Sequence, residues 1–415
     1  MKLRDSPIIK SLADQDLYKF TMAQAVLHHC PGTQVEFAYR CRTPGVDLRP
    51  LADEIREQVQ HVATLRFTGD ELEFLSLLAY ISPDFVDFMR VFRLSADAVQ
   101  IAERNGALDI RVRGTQVHVS WWEIYLLSII SELHARHVYP NVDQNEGHRR
   151  LTEKIRTAKD WQKRQGPDEK KFRLIEFGTL RRYGRAWQEA VLMRLHTELA
   201  ECLVGTSNVR LAMDYDLRAF GTFAHEWFQI WQATDVRLIE SQKRAMDVWA
   251  REFRGQLGIA LTDIITMDAF LRDFDFYFAK LFDGCRHDSG DPRSWAEKLI
   301  AHYRRLGIDP RTKWAVFSDS LNIPKALALC GEYEGRIMTS FGIGTDLTND
   351  LGVPALNQVI KITECNGQPT AKISDTPGKS MCEDAAYSAY LRRVVGVQES
   401  EPLPAEVGSA KRGSL

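Results

Sequence analysis

The sequence predicts an α/β protein, an irregular (β/α) barrel beside a smaller α/β domain. Three observations carry that expectation. Seven short apolar runs between Phe172 and Phe341 each end in a polar or glycine-rich knot, and helical patterns follow most of them. Strands alternating with helices imply a parallel sheet, and this many units favour closure into a barrel. Segments of two-residue alternation lie before and after that region, as antiparallel strands require. The 415 residues, 44% of them hydrophobic, can bury the large core that both units need.

Residues 9–29 read as helical in their middle, opened by Asp14 and Asp16. Residues 34–40 set Val35, Phe37 and Tyr39 against polar neighbours, which predicts a strand. Leu108, Ile110 and Val112 alternate likewise. Gly114-Thr115 then reads as a turn into a second strand through Val117, Val119 and Trp121. Residues 123–139 form a largely buried helix. Together these make an N-terminal domain over residues 1–140. The charged stretch 141–171, helical in its middle and broken at Gly166-Pro167, leads into a barrel domain over residues 141–354. Its apolar runs are 172–177, 201–204, 217–220, 258–261, 282–285, 314–317 and 336–341, and their uneven spacing predicts an irregular or incomplete barrel. Residues 358–365, Asn366-Gly367 and residues 369–374 form a hairpin that rejoins the first sheet, so about 355–395 complete the N-terminal domain. The tail 396–415 has few large apolar side chains and is expected to fray.

Composition narrows the function. With 54 Lys+Arg against 56 Asp+Glu there is no excess positive charge for a bulk grip on nucleic acid or an anionic membrane. The most apolar stretch, residues 121–130, is interrupted by Glu123 and too short to span a bilayer, and residues 1–10 lack a signal-peptide core. The seven scattered cysteines contain no Cys-x-x-Cys pair, which fits reduced thiols in a cytoplasmic protein.

Chemistry concentrates at the ends of the predicted barrel strands, where such folds keep their sites. Arg286-His287-Asp288-Ser289-Gly290-Asp291 packs a guanidinium, an imidazole and two carboxylates into six residues. Carboxylates there can hold sugar hydroxyls or a hydrated Mg²⁺, and the arginine suits a planar carboxylate or phosphate. Phe341-Gly342-Ile343-Gly344-Thr345 is either a phosphate cradle or a plain tight turn. Arg181, Arg182 and Arg185 follow another strand and suggest an anionic ligand. Thr222, His225 and Glu226 sit on a further turn, where a lone histidine is more often structural. His134 and His137 lack a third ligand and read as core and surface residues. No Gly-x-Ser-x-Gly elbow or phosphate-binding Walker loop is present. These residues point to a barrel enzyme acting on a phosphorylated, polyhydroxy, anionic small molecule, with Mg²⁺.

The motifs LADQDLYK (12–19), EFGTLRR (176–182), GTSN (205–208), GTFAHEW (221–227), GIALTDIITMDAFLRDF (258–274), RHDSGDP (286–292), FSD (317–319), FGIGT (341–345) and SDTPGK (374–379) resemble those of the bacterial nicotinate phosphoribosyltransferases, in family order. The resemblance implies the type II phosphoribosyltransferase barrel and an ATP-dependent enzyme of NAD salvage, classed as a ligase. Its reaction joins nicotinate to 5-phosphoribosyl-1-diphosphate, giving nicotinate mononucleotide and diphosphate, with ATP hydrolysis coupled through a phosphohistidine. It implies ATP and Mg²⁺ as cofactors and a homodimer with shared active sites. By the same resemblance, His225 matches the family's phosphorylated histidine, Thr222 and Arg286 match positions that contact nicotinate, and Tyr18 matches the aromatic residue that stacks on the pyridine ring. Thr345 matches the 5′-phosphate cradle, and Asp263, Asp288 and Asp291 resemble the ribose or Mg-diphosphate residues. Leu180 stands where relatives carry a further arginine, which leaves Arg181 and Arg182 as rivals for the substrate-facing position. The metal ligands stay undefined.

The residue types suit that reaction. A pyridine nitrogen attacks through a free lone pair, so no general base is needed; positioning and charge stabilisation do the work. Rival readings are a nicotinamide or quinolinate phosphoribosyltransferase, or a non-catalytic barrel that senses NAD metabolites.

Overall fold

The structure is a computed structural model and describes residues 7–165, 172–234, 236–376 and 379–397. The break expected at Gly166-Pro167 and the tail from residue 398 lie outside them.

Strands β1 (Gln34–Cys41), β2 (Val99–Arg104) and β3 (Ala107–Thr115) belong to an antiparallel sheet near the N-terminus. Six more form a parallel sheet: β4 (Leu174–Glu176), β5 (Leu203–Thr206), β6 (Ile259–Leu261), β7 (Gly284–His287), β8 (Trp314–Phe317) and β9 (Met338–Ile343). Strands β10 (Gln358–Cys365) and β11 (Gln368–Pro369) return to the first sheet, whose order is β11-β10-β1-β3-β2. Phe37 faces Ile362 and Tyr39 faces Ile360 across the β1–β10 pair, so a strand more than 300 residues downstream completes the N-terminal sheet.

The parallel sheet runs β5-β4-β9-β8-β7-β6. Six of the seven apolar runs are its strands. The seventh, residues 217–220, is not one. It makes a single bridge, Ala219 to Thr206 on β5, and two residues later Thr222 Oγ1 donates to the Ile259 carbonyl of β6 at 2.9 Å. This segment therefore spans the gap between the two edge strands as a broken stave, and the barrel is closed but irregular.

The hairpin expected at Gly114-Thr115 is displaced. The turn lies at Asn105-Gly106, both left-handed at φ 52° and 72°, and joins β2 to β3. Two successive positive φ values fit the tight hairpin turn that matches strand twist. After Thr115 the chain enters a one-turn helix, Gln116–Val119, and then the buried helix Trp122–Val138. Val117, Val119 and Trp121 are buried there as helical core residues. Three apolar residues at alternate positions did not distinguish a strand from a buried helical turn.

Two attachments bring the N-terminal segment to the barrel. Leu17 N–H donates to the Ser207 carbonyl at 2.8 Å, and Val209 N–H donates to the Gln15 carbonyl at 2.8 Å. The helix Leu17–His29 thus begins against the end of β5. Arg182 is fully buried and makes a two-pronged pair with Asp14, both contacts at 2.8 Å, while Arg185 reaches Asp14 at 3.0 Å. Burial alone would raise the Asp14 carboxyl, but the two guanidinium groups outweigh it and hold it below its usual range. All seven cysteines are free, and among the described residues no helix is long and apolar enough to cross a membrane.

Candidate active site

One cavity of about 1100 Å³ opens where the strand ends of the barrel meet the N-terminal domain. Tyr18, Arg181, Thr222, His225, Arg286, Asp288 and Thr345 all line it. They come from five separate segments. Asp263 stands directly behind His225.

His225 opens the helix His225–Ile230 and is 3% exposed. Its Nε2 lies 2.8 Å from Asp263 Oδ1 and 3.7 Å from Asp288 Oδ2. Lys372 Nζ holds the other Asp263 oxygen at 3.0 Å. Burial, then the Lys372 charge, lowers the proton affinity of His225, so the ring is neutral near pH 7. Burial works against the Asp263 carboxylate too, but the imidazole N–H and the Lys372 ammonium outweigh it and hold the carboxyl well below its usual range. A neutral ring whose Nε2–H donates to Asp263 leaves Nδ1 with a free lone pair. Carboxylate, imidazole and lysine thus fix one tautomer of a potential nucleophile.

Tyr18, Phe177 and Arg286 all line the cavity. Tyr18 reaches the cavity of its own chain. Glycines make room here: a Cβ on Gly221 would sit 2.8 Å from the Tyr18 amide nitrogen, and one on Gly342 would meet the Phe177 ring at 2.2 Å. The first FGIGT glycine therefore accommodates an aromatic wall; a Cβ on the second, Gly344, would lie 2.7 Å from the Phe177 carbonyl. Beneath Tyr18, Lys19 is buried between Glu123 at 2.7 Å and Glu226 at 2.8 Å, and Lys361 holds the other Glu123 oxygen at 2.8 Å. Burial pushes the Glu226 carboxyl up, Lys19 being shared with Glu123.

Arg181 and Arg182 separate cleanly. Arg182 is spent on Asp14, whereas Arg181 lines the cavity and anchors itself by donating to the Gln358 carbonyl at 3.1 and 3.0 Å. Asp291 is outside the cavity lining: its carboxylate accepts from the Ser294 N–H at 2.8 Å and caps the helix Pro292–Arg305. His287 is a structural residue, its Nε2 3.1 Å from the Gly290 carbonyl, and His137 pairs with Glu54 on the outside at 2.7 Å. Phe177, Lys361 and Lys372 were not legible as site residues from the sequence. The two lysines sit at alternating strand-like positions, where a charge among apolar residues was the available signal.

Suitable oxygen donors for a divalent cation are present. His225, Asp263 and Asp288 offer ligand atoms within 4.8 Å of one another. Lys372 already pairs with Asp263 and a lysine likewise pairs with Asp319, so the partly exposed Asp288 is the better match to a hydrated Mg²⁺ carrying phosphate oxygens. Lys379 reaches Asp319 at 2.6 Å from the SDTPGK segment, of which Pro377 and Gly378 lie outside the described residues.

Residues 172–399 match the nicotinate phosphoribosyltransferase (NAPRTase) family, and residues 13–131 match its N-terminal domain. The chain is 49% identical over 397 residues to a nicotinate phosphoribosyltransferase of Burkholderia mallei, covering 94% of this chain and 98% of that protein. It is 50% identical over 389 residues to one of Bordetella petrii, covering 93% and 98%. A crystal structure of nicotinate phosphoribosyltransferase from Vibrio cholerae superposes with a TM-score of 0.91 at 39% identity, over 96% of each chain. With the site assembled in one cavity and two family regions matched across most of its length, the chain belongs to the nicotinate phosphoribosyltransferase family.

Proposed function

We propose that this chain transfers the phosphoribosyl group of 5-phosphoribosyl-1-diphosphate to nicotinate, yielding nicotinate mononucleotide and diphosphate for NAD salvage, and that ATP hydrolysis drives the step through phosphorylation of His225. The observation that carries the reading is the single cavity that gathers Tyr18, Thr222, His225, Arg286 and Thr345 around one space. Tyr18 and Phe177 hold the pyridine ring, and Arg286 takes its carboxylate. That pairing favours nicotinate over nicotinamide, which carries no charge.

In the transfer, the ring nitrogen forms its bond to ribose C1 as the C1–diphosphate bond breaks. Charge developing on the sugar faces Asp288, and Thr345 lies where the 5′-phosphate would rest. Mg²⁺, when bound, would screen the charge of the leaving diphosphate. In the coupled step His225 Nδ1 attacks the terminal phosphorus of ATP and ADP departs; Asp263 keeps the Nε2 proton in place and stabilises the charge that the ring acquires. A homodimer is the working unit in this reading, which light scattering on the purified protein would check.

The test is direct. Protein incubated with ATP and Mg²⁺ should carry an acid-labile phosphate on His225, attached at Nδ1. Label elsewhere, or none, would remove the phosphohistidine from the mechanism, while mononucleotide formation from nicotinate, read by mass, tests the transfer itself.

A further inference from the structure

The active-site cavity does not end inside the barrel. Its lining includes residues at the opposite, strand-starting end: Arg173 just before β4, Leu257 just before β6, Asp283 just before β7 and Trp314 at the start of β8. Between the two ends the wall is made of small or apolar side chains, among them Ile175, Ala219, Ile259, Val316 and Ser340. A packed barrel core would be filled at that depth. Here a passage runs along the barrel axis from the catalytic end to its far side.

Two guanidinium groups flank that far mouth. Arg173 lies over the Trp314 ring at 5.1 Å, and Arg218 over the Phe220 ring at 5.0 Å. Neither forms an ion pair or a side-chain hydrogen bond with a described residue, although the protein pairs most of its arginines. They are close enough that, after burial, the charge of Arg218 is what lowers the proton affinity of Arg173. The same charge opposes the burial that raises the Tyr80 hydroxyl, and Tyr80 also lines the cavity. Two like charges, each stacked on its own aromatic ring and without a side-chain hydrogen bond among the described residues, outnumber the one carboxylate at that end, Asp283, and form a receptor for an anion. The flat rings beside them suit a planar one.

We propose that this far mouth is a second opening of the active site, where Arg173 and Arg218 capture the carboxylate of a free pyridine carboxylate and select it by charge before the ring reaches Tyr18 and Arg286. The inference rests on nicotinate being the ring substrate. It gives the passage a use: 5-phosphoribosyl-1-diphosphate and its diphosphate fill the strand-end mouth, and a ring substrate with its own route is not shut out by them. Charge is then tested twice, once at each end of the passage. A cationic mouth with low-dielectric walls concentrates a small anion and speeds its association by tenfold or more, an effect that salt weakens.

The experiment is stopped-flow association of nicotinate, read by tryptophan fluorescence, with inorganic diphosphate and Mg²⁺ present to fill the strand-end mouth. Wild-type protein is compared with R173Q/R218Q and with R218Q alone, the latter altering only an exposed side chain and so keeping the test open if the double variant does not fold. The expected result is association that persists in the wild type with diphosphate bound and falls about tenfold in the double variant at low ionic strength, the gap closing in high salt. Nicotinamide, which is neutral, should associate equally with both. Equal nicotinate association rates in wild type and variants, or a wild type whose association is blocked outright by diphosphate, would overturn the second opening. Wild-type protein that forms no mononucleotide from nicotinate would instead overturn the functional reading beneath it.

Discussion

In the proposed reaction Arg286 decides substrate choice, because a guanidinium set against the ring carboxylate in a partly desolvated cavity would supply a charged hydrogen bond that an amide cannot replace. Losing such a bond costs about 1.5–3 kcal/mol. Arg286→Ala should therefore lower kcat/KM for nicotinate roughly 10- to 150-fold, while leaving the fold intact. Steady-state kinetics that match the wild type would remove Arg286 from the nicotinate site. Asp263→Asn is a sharper test of His225. Asparagine can present its amide oxygen to Nε2–H but lacks the charge that Lys372 and the ring both use. The rate of phosphate labelling should drop by about two to four orders of magnitude, with the label still on His225. An unchanged rate would mean that Asp263 only packs there. Read locally, His225 looked like an ordinary buried histidine. Its significance depends on Asp263, 38 residues away on another strand end, and on Lys372 beyond the late hairpin. The motif resemblance pointed to His225; only the fold shows which nitrogen is free.

At the scale of elements, the strand-end knots were legible because alternation between apolar run and polar turn survives in the sequence, and six of the seven runs are strands. Residues 217–220 failed as a strand because Ala219 finds one bridge and the chain then turns away to place Thr222 and His225. The site takes the residues that a regular strand would have used. The β2–β3 hairpin turns at Asn105-Gly106, whose paired positive φ values carry the turn, while Gly114, the glycine that fits a turn in the sequence, lies within β3. Strand β9 yields a prediction of its own. Gly342→Ala would put a Cβ 2.2 Å from the Phe177 ring, too close to be absorbed by a small shift. Overpacking of this kind costs about 1–3 kcal/mol, and the ring it displaces lines the cavity where the proposed function seats nicotinate. The variant should lose thermal stability and show a raised KM for nicotinate. A Tm and KM equal to those of the wild type would mean that Phe177 has another resting place.

Over the whole molecule, buried charge is unevenly divided, and this fixes how stability responds to pH. Asp14 and Glu123 are held low, Asp14 by Arg182 and Arg185 and Glu123, at about 2, by Lys19 and Lys361, in both cases against burial. Their contribution is complete above pH 4.5 and lost as acid protonates them. Glu176 and Asp16 go the other way. Burial raises Glu176 from 4.5 to about 7 and Asp16 from 3.8 to about 6. For these two the folded protein holds the proton more tightly than the unfolded chain, so their contribution is complete below about pH 4 and lost as pH rises through 6 and 7. Glu176 sits under the cavity with Thr206 Oγ1 at 2.5 Å and Gln188 Nε2 at 3.1 Å, where it ties β4 to β5. As a neutral acid it fits that pocket; as a carboxylate it costs on the order of 3 kcal/mol. Wild-type Tm should accordingly fall between about pH 5 and pH 8, and Glu176→Gln, which keeps the shape and removes the titration, should flatten much of that fall. If thermal unfolding followed across this range gives parallel curves for the two proteins, Glu176 is not the group that couples barrel stability to pH. The same comparison at acid pH should show no difference, because there both side chains are neutral and the loss belongs to Asp14 and Glu123.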